Sequence, residues 1–154
     1  MLSRPAKFGL FAAFLTLTAF AVSANMVGPL ATTMAADFGR SFSEFGSIVF
    51  VQFLSFAAAS LAGGWLIRRF GATPRGLVLA GVILIAATLA AGACLPSMSW
   101  FLVWAVPAGF AGGLAESFAS IMICELSGPA AGRMMGLSQV FYCIGAILTP
   151  QIVA

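Results

Sequence analysis

Ionisable residues are scarce in this chain, and histidine is absent. Of 154 residues, seven are Lys or Arg and four are Asp or Glu. Without histidine, and with its three cysteines in separate apolar segments, the sequence offers neither a metal-ligand cluster nor a disulfide framework. It also lacks a nucleophile–base pair and a phosphate-binding loop, so we expect no enzymatic activity and no cofactor. The basic residues form no run, which argues against nucleic acid as a partner.

Apolar residues, in contrast, are abundant in the chain. Hydrophobic residues make up 62% of it, the mean hydropathy is +1.10, and the apolar runs repeatedly reach the roughly 20 residues that a helix needs to cross a bilayer. We therefore predict an all-α, polytopic membrane protein whose surroundings are lipid, with the cysteines as small core residues. The predicted spans are about 8–30, 42–67, 74–95, 99–124 and 134–154.

The first apolar run admits two interpretations. It follows Arg4 and Lys7, and residues 21–24 (Ala-Val-Ser-Ala) resemble the small-residue site of a cleaved secretory signal. The apolar character continues past this site to Met34, further than the apolar region of a usual signal. We favour a retained first helix, and cleavage stays the alternative.

Short motifs mark where helices begin and on which side the loops lie. Ser41 and Glu44 fit a capping box for the second helix, and Thr73-Pro74 offers an N-cap and a first-turn proline for the third. The N-terminus and the loops predicted on its side of the membrane carry six basic residues. The loops on the other side carry only Arg40. This bias predicts a cytoplasmic N-terminus in a bacterial-type inner membrane.

Glu116 is the most informative single residue. It lies deep in the fourth apolar segment, roughly 24 Å beyond Trp100 at about 1.5 Å per residue, within about 30 Å of hydrocarbon. An ionised group at that depth costs about 3 kcal/mol on insertion scales, so we expect it to be protonated, paired or beside a wet cavity. We interpret it as a proton or substrate group. The alternative is a carboxyl that only fixes helix packing.

Asn25 lies at a similar depth in the first span. If helices one to three and four to six form an inverted repeat, Asn25 and Glu116 face one cavity from related positions. The alternative for Asn25 is a hydrogen bond between helices. Further residues that can line a polar path are Gln52, Ser117, Ser120, Gln139 and Tyr142.

The loop after the second span resembles the inner-loop signature of the major facilitator superfamily, in which a glycine precedes an acidic residue, a basic residue and a second glycine. Gly64, Arg69 and Gly71 fit this gating motif. Arg68 stands where the acidic residue is expected, and the later basic residue is displaced to Arg75. The ion pair associated with that acid is therefore not expected here.

Within that superfamily the chain is most similar to the fucose-permease group of proton-coupled sugar symporters. The likeness lies in residues 25–29, where Asn25 replaces an acidic residue, in residues 109–120 with Glu116, and in residues 136–146. The resemblance implies twelve helices in two six-helix halves, with solute and proton sites between the halves and access that alternates as one half rocks against the other.

Five spans are one fewer than a six-helix half, so the sequence predicts an incomplete N-terminal half whose remainder comes from a missing C-terminal part or a second chain. We expect a secondary transporter that is coupled to protons and moves a sugar or another small polar solute. The alternatives are a proton-driven exporter of drugs or metabolites, favoured by an apolar and aromatic cavity, and a membrane scaffold protein that transports nothing.

Overall fold

The protein is helical throughout the part of the chain that the structure describes. The structure is a computed structural model and describes residues 4–31, 39 and 41–153. It contains five long helices and, within those residues, no strand: α1 Arg4–Asn25, α2 Phe42–Phe70, α3 Pro74–Gly92, α4 Met98–Ser127 and α5 Ala131–Val153. The predicted all-α membrane bundle is confirmed.

The helices are long and apolar enough to cross a membrane. Length and hydropathy define four apolar segments of spanning length, Arg4–Ala31, Ser43–Phe70, Pro74–Gly92 and Ser99–Gln151. The last contains both α4 and α5, which are joined by the 3-10 turn Gly128–Ala130. α5 packs parallel to α1, with Phe141 on Phe14 and Gly145 near Thr18, so the chain reverses direction at the turn and α4 and α5 are antiparallel.

Two of the predicted helix N-termini can be compared with those in the structure. Thr73 is the N-cap of α3: its Oγ1 accepts a hydrogen bond from the Gly76 backbone N–H at 3.1 Å, with Pro74 at the first helical position. That prediction is confirmed. Ser41 precedes α2, but its hydroxyl pairs with the Ser43 hydroxyl at 2.8 Å instead of capping the helix. The predicted capping box is therefore wrong: the Glu44 N–H that it would use donates to the Ser41 backbone carbonyl at 3.1 Å.

α4 is the central helix and contacts all four others. α2 is parallel to α4, because residues later in α2 contact residues later in α4: Ser55 contacts Val106, and Ser60 contacts Ser117. α3 is antiparallel to α4, since its Thr88 meets Trp104 while the earlier Gly81 meets the later Ala115.

The direction of the chain alternates from helix to helix. α1 is antiparallel to α4, because Gly9 contacts Leu126 while Phe20 contacts Gly112. This alternation gathers six of the seven basic residues at one end of the bundle, which we call the basic end: Arg4, Lys7, Arg68, Arg69, Arg75 and Arg133. The seventh, Arg40, lies outside the described residues.

Small residues and hydroxyl groups hold the helices together. A side chain at Gly109 or Gly113 of α4 would collide with the backbone carbonyl of Gln52 or Phe56 in α2. Such close approach suits a membrane interior, where packing and interhelical hydrogen bonds replace the hydrophobic drive. Ser55 donates to the Val106 carbonyl at 2.6 Å.

The largest packed core lies toward the basic end, around Phe118 and Ile123 of α4 and Leu17 of α1. The three cysteines are not part of it: Cys94, Cys124 and Cys143 are exposed on the outside of the bundle. Their assignment to the core was therefore wrong. In an apolar surrounding, a small apolar side chain gains little by pointing inward, so its position cannot be inferred from hydrophobicity.

Candidate functional site

A chamber of about 300 Å³ lies between α1, α2, α3 and α4, in the half of the bundle away from the basic end. Apolar side chains make up most of its wall, including the aromatic rings of Phe45, Phe101 and Trp104. Phe101 and Trp104 meet edge to face, with ring centroids 6.0 Å apart. Among the described residues of the lining, Ser23 alone has a hydroxyl group. The other lining residues are Met26, Val27, Leu30, Ile48, Leu89, Gly92 and Ala93.

Two smaller cavities lie beside the chamber, on its side toward the basic end. One, of about 30 Å³, and another, of about 10 Å³, share Ser23 with the chamber and share Gln52 with each other. The smaller also contains Thr88 and Trp104. Three polar residues therefore line the small cavities beside the apolar chamber, and we call Ser23, Gln52 and Thr88 the polar floor.

The hydrogen bonds of the polar floor determine what it offers to a ligand. Ser23 donates to the Phe20 carbonyl at 2.8 Å, and Thr88 donates to the Ile85 carbonyl at 2.9 Å, so each hydroxyl oxygen remains an acceptor. Trp104 donates its Nε1–H to the Thr88 carbonyl at 2.7 Å. Within the described residues the Gln52 amide has no hydrogen-bond partner, so it offers both donors and an acceptor.

Three rings form an aromatic layer below this floor. Phe20 of α1 packs on Phe56 of α2, with centroids 5.8 Å apart, and on Tyr142 of α5 at 6.1 Å. Phe20 and Phe56 also line the cavity of about 30 Å³. The layer therefore separates the cavities from the part of the bundle nearer the basic end.

Glu116 lies just beyond the aromatic layer. It follows Gly112, which contacts Phe20, by one helical turn, or about 6 Å toward the basic end. Its side chain is partly buried, and in the described part of the chain it has no hydrogen bond or ion pair. It lines neither the chamber nor the two small cavities.

Asn25 has a partner within its own helix. Its Nδ2 donates to the Ala21 carbonyl at 2.7 Å, and the residue is half-buried at the end of α1. It lines none of the three cavities, whereas Ser23, two residues earlier, lines all three. Asn25 and Glu116 lie on opposite sides of the aromatic layer, so the three cavities do not bring them together.

The other predicted cavity residues have different environments. Gln52 lines both small cavities, and Tyr142 belongs to the aromatic layer. Ser117 shares a hydrogen bond of 2.7 Å with Ser60, which joins α4 to α2. Ser120 is half-buried one turn after Glu116, and Gln139 is exposed on α5.

The inner-loop motif lies at the basic end, away from the cavities. Gly71 ends α2 in the left-handed conformation, at φ 66°, and its N–H bonds to the Ile67 carbonyl at 3.0 Å. A residue with a Cβ would be strained there. Arg68, Arg69 and Arg75 are exposed, and the surroundings of Gly64 are open.

Sequence reasoning missed three residues of the site: Ser23, Thr88 and Phe20. Ser23 was assigned only to a cleavage motif, and Thr88 lies in a segment notable for Ala and Gly. Phe20 is one of 15 phenylalanines, so its residue type carries no signal of its own. These residues belong to the site because of contacts between different helices. The sequence alone does not show those contacts, so it did not identify them.

A comparison with models of known protein families gives a match over most of the chain. A family model described as Major Facilitator Superfamily matches residues 10–154, which include most of α1 and the whole of the other four helices. The match is to the superfamily as a whole, so the likeness to the fucose-permease group stays a prediction. No curated protein and no solved structure matches the chain.

Proposed function

The chain belongs to the major facilitator superfamily of membrane transporters, and from that premise we propose that it takes part in proton-coupled transport by alternating access. Glu116 is the proton-carrying group in this proposal. The bilayer surrounds the helices, and the partners are a small solute and the proton. The basic end faces the cytoplasm, in agreement with the distribution of basic residues.

The observation that carries the proposal is the environment of Glu116. A carboxyl group in the membrane interior is costly unless it is protonated or paired, and such groups are usually functional. A carboxyl that only fixed helix packing would have a hydrogen-bond partner on a neighbouring helix. Glu116 has none among the described residues, which favours a group whose protonation changes during a transport cycle.

The position of Glu116 suggests how its proton can be coupled to solute movement. The aromatic layer lies between Glu116 and the polar floor, and it includes one ring from each of α1, α2 and α5. A conformational change that moves α1, α2 or α5 relative to the other two changes the overlap of the rings. Coupling then means that the proton on Glu116 biases which arrangement of the layer is stable.

The chamber supports the exporter alternative more than the sugar alternative. A sugar needs a hydrogen-bonding partner for each buried hydroxyl group, because an unpaired buried hydroxyl costs on the order of 2 kcal/mol. The described part of the chamber wall provides one hydroxyl group and several aromatic rings. A mostly apolar solute fits that wall, so a proton-driven exporter of apolar compounds is the second candidate function.

The test uses the full-length protein in vesicles with an imposed pH gradient. Uptake of labelled sugars and of lipophilic dyes is measured for the natural protein, for Glu116→Gln and for Glu125→Gln. Glu125 is the matched control, because it is an exposed acid near the end of the same helix. We expect gradient-driven movement of one solute class to be lost in Glu116→Gln and kept in Glu125→Gln.

Two other results have definite meanings. If Glu116→Gln keeps gradient-driven transport, Glu116 does not carry the proton and the proposal fails. If Glu116→Gln instead lowers the folded yield and neither sugars nor dyes move in the natural protein, the scaffold alternative is favoured.

A further inference from the structure

We propose that the chamber is a binding site for a neutral, mostly apolar small molecule that carries a single hydroxyl group, of the alcohol or phenol type. The size of the chamber permits this, since a volume of about 300 Å³ falls at the lower end of the range of ligand sites. The site lies inside the four-helix group α1–α4. It does not depend on Glu116 or on proton coupling.

The wall determines the apolar part of the ligand. Phe45, Phe101 and Trp104 contribute rings, and aliphatic side chains such as Val27 and Leu30 add to the wall. Rings and aliphatic groups favour a compact apolar body, aromatic or alicyclic, that fills the space by contact. Apolar walls of this kind accept apolar guests, as an engineered apolar cavity in a protein core binds benzene.

The absence of charge in the lining determines the charge of the ligand. None of the described residues that line the chamber or the two small cavities is Asp, Glu, Lys or Arg. A charged guest would lose its hydration without gaining a counter-ion, at a cost on the order of several kcal/mol. The ligand is therefore neutral.

The polar floor determines the position of the hydroxyl group. Ser23 and Thr88 both donate to backbone carbonyls, so their oxygens accept a hydrogen bond, whereas the Gln52 amide can donate and accept. A hydroxyl group needs both kinds of partner. It therefore binds at the end of the chamber near Ser23, beside the cavity of about 30 Å³ that Ser23 and Gln52 both line, with the apolar body directed away from the basic end.

The experiment uses Trp104 as the reporter. Trp65 and Trp100 are exposed, and changing both to Phe leaves Trp104 as the one indole in the chain. The probe is 4-bromophenol, whose bromine quenches indole fluorescence on contact. We expect quenching that saturates, on top of the linear quenching that dissolution of the probe in lipid produces. A second protein that keeps only Trp100 measures that linear part.

Variants and analogues then locate the site. Val27→Phe fills the chamber and should weaken saturable quenching at least tenfold. If Val27→Phe does not fold, Leu30→Phe is used in its place. Gln52→Leu should weaken binding of 4-bromophenol about tenfold and leave binding of bromobenzene unchanged. Gln151→Leu is the matched control, because Gln151 is exposed on α5, and it should have no effect.

Specific results would overturn the proposal. One is quenching of Trp104 that stays linear with probe concentration, or saturable quenching that both filling variants leave unchanged. Another is equally tight binding of 4-bromobenzoate, which carries a charge. Loss of transport in Glu116→Gln has no bearing here, since we expect that variant to bind 4-bromophenol normally.

Discussion

The two halves of α4 differ in what surrounds them. From Gly109 onward the helix is rich in Gly and Ala, and the neighbouring backbones approach it closely, as at Gly113 and Phe56. Before Gly109 it carries Trp and Phe side chains, and the chamber lies beside them. Small residues let helices meet at their backbones, while bulky rings hold them apart and leave space between.

The packed half and the open half of α4 therefore have different features. The closely packed half contains Glu116 and the largest core. The open half contains the chamber and most of the residues that can contact a ligand. Substitutions should therefore affect the two halves differently, and four predictions test how each is packed.

The largest effect is expected in the packed half. Phe118 is 2% exposed, and its change to Ala leaves a cavity that the close-packed helices cannot fill. We expect a loss of about 3 kcal/mol or more in the free energy of unfolding, measured in mixed detergent. Phe101→Ala is the matched change in the open half and should cost clearly less, because its ring already borders the chamber. Equal costs would mean that the two halves are packed alike.

Adding volume between α2 and α4 is expected to be the next most damaging change. Gly113→Val places a side chain against the Phe56 carbonyl and should destabilise the protein by about 1–3 kcal/mol. Gly136→Val on α5 is the control, because its surroundings are open. If both variants unfold at the same denaturant concentration as the natural protein, the close approach of α2 and α4 is not a source of stability.

Adding volume in the open half should have the opposite sign. Val27→Phe extends into the chamber, and filling a cavity commonly stabilises a protein by about 0.5–2 kcal/mol. Thermal unfolding in detergent measures the change. Ala119→Leu serves as the comparison, since Ala119 is fully buried in the packed core and should not tolerate the added atoms. A loss of stability in Val27→Phe as large as that in Ala119→Leu would show that no space is available there.

The smallest effect concerns the hydrogen bond of 2.7 Å between Ser60 and Ser117. A double-mutant cycle with Ser60→Ala and Ser117→Ala should give a coupling energy of about 0.6 kcal/mol, the average for such pairs in membrane helices. A coupling near zero would indicate that the two hydroxyl groups do not interact in the membrane.

Some of this organisation follows from sequence, and some requires the packed helices. The apolar runs predicted the helical class, and Thr73-Pro74 predicted the start of α3, because both depend on residues close together in the chain. Ser41 satisfied the same kind of local rule and failed, because its hydroxyl pairs with that of Ser43 and the Glu44 N–H donates to the Ser41 carbonyl.

The site was less predictable for a physical reason. Glu116 was conspicuous because a carboxyl group is rare in such a segment, and Gln52 because it is polar. Ser23 and Thr88 became part of the polar floor only through the arrangement of α1, α3 and α4. Whether a hydroxyl group faces a cavity depends on helix rotation, and an apolar surrounding gives little sequence signal for that rotation.

The central claim is that Glu116 exchanges a proton inside the membrane, and infrared difference spectroscopy of the protein in lipid tests it most directly. Spectra are compared between mildly acidic and mildly alkaline buffer for the natural protein, Glu116→Gln and Glu125→Gln. We predict a carboxylic-acid carbonyl band that disappears in alkaline buffer, is missing from Glu116→Gln and persists in Glu125→Gln. The same pH-dependent bands in the natural protein and in Glu116→Gln would contradict the account.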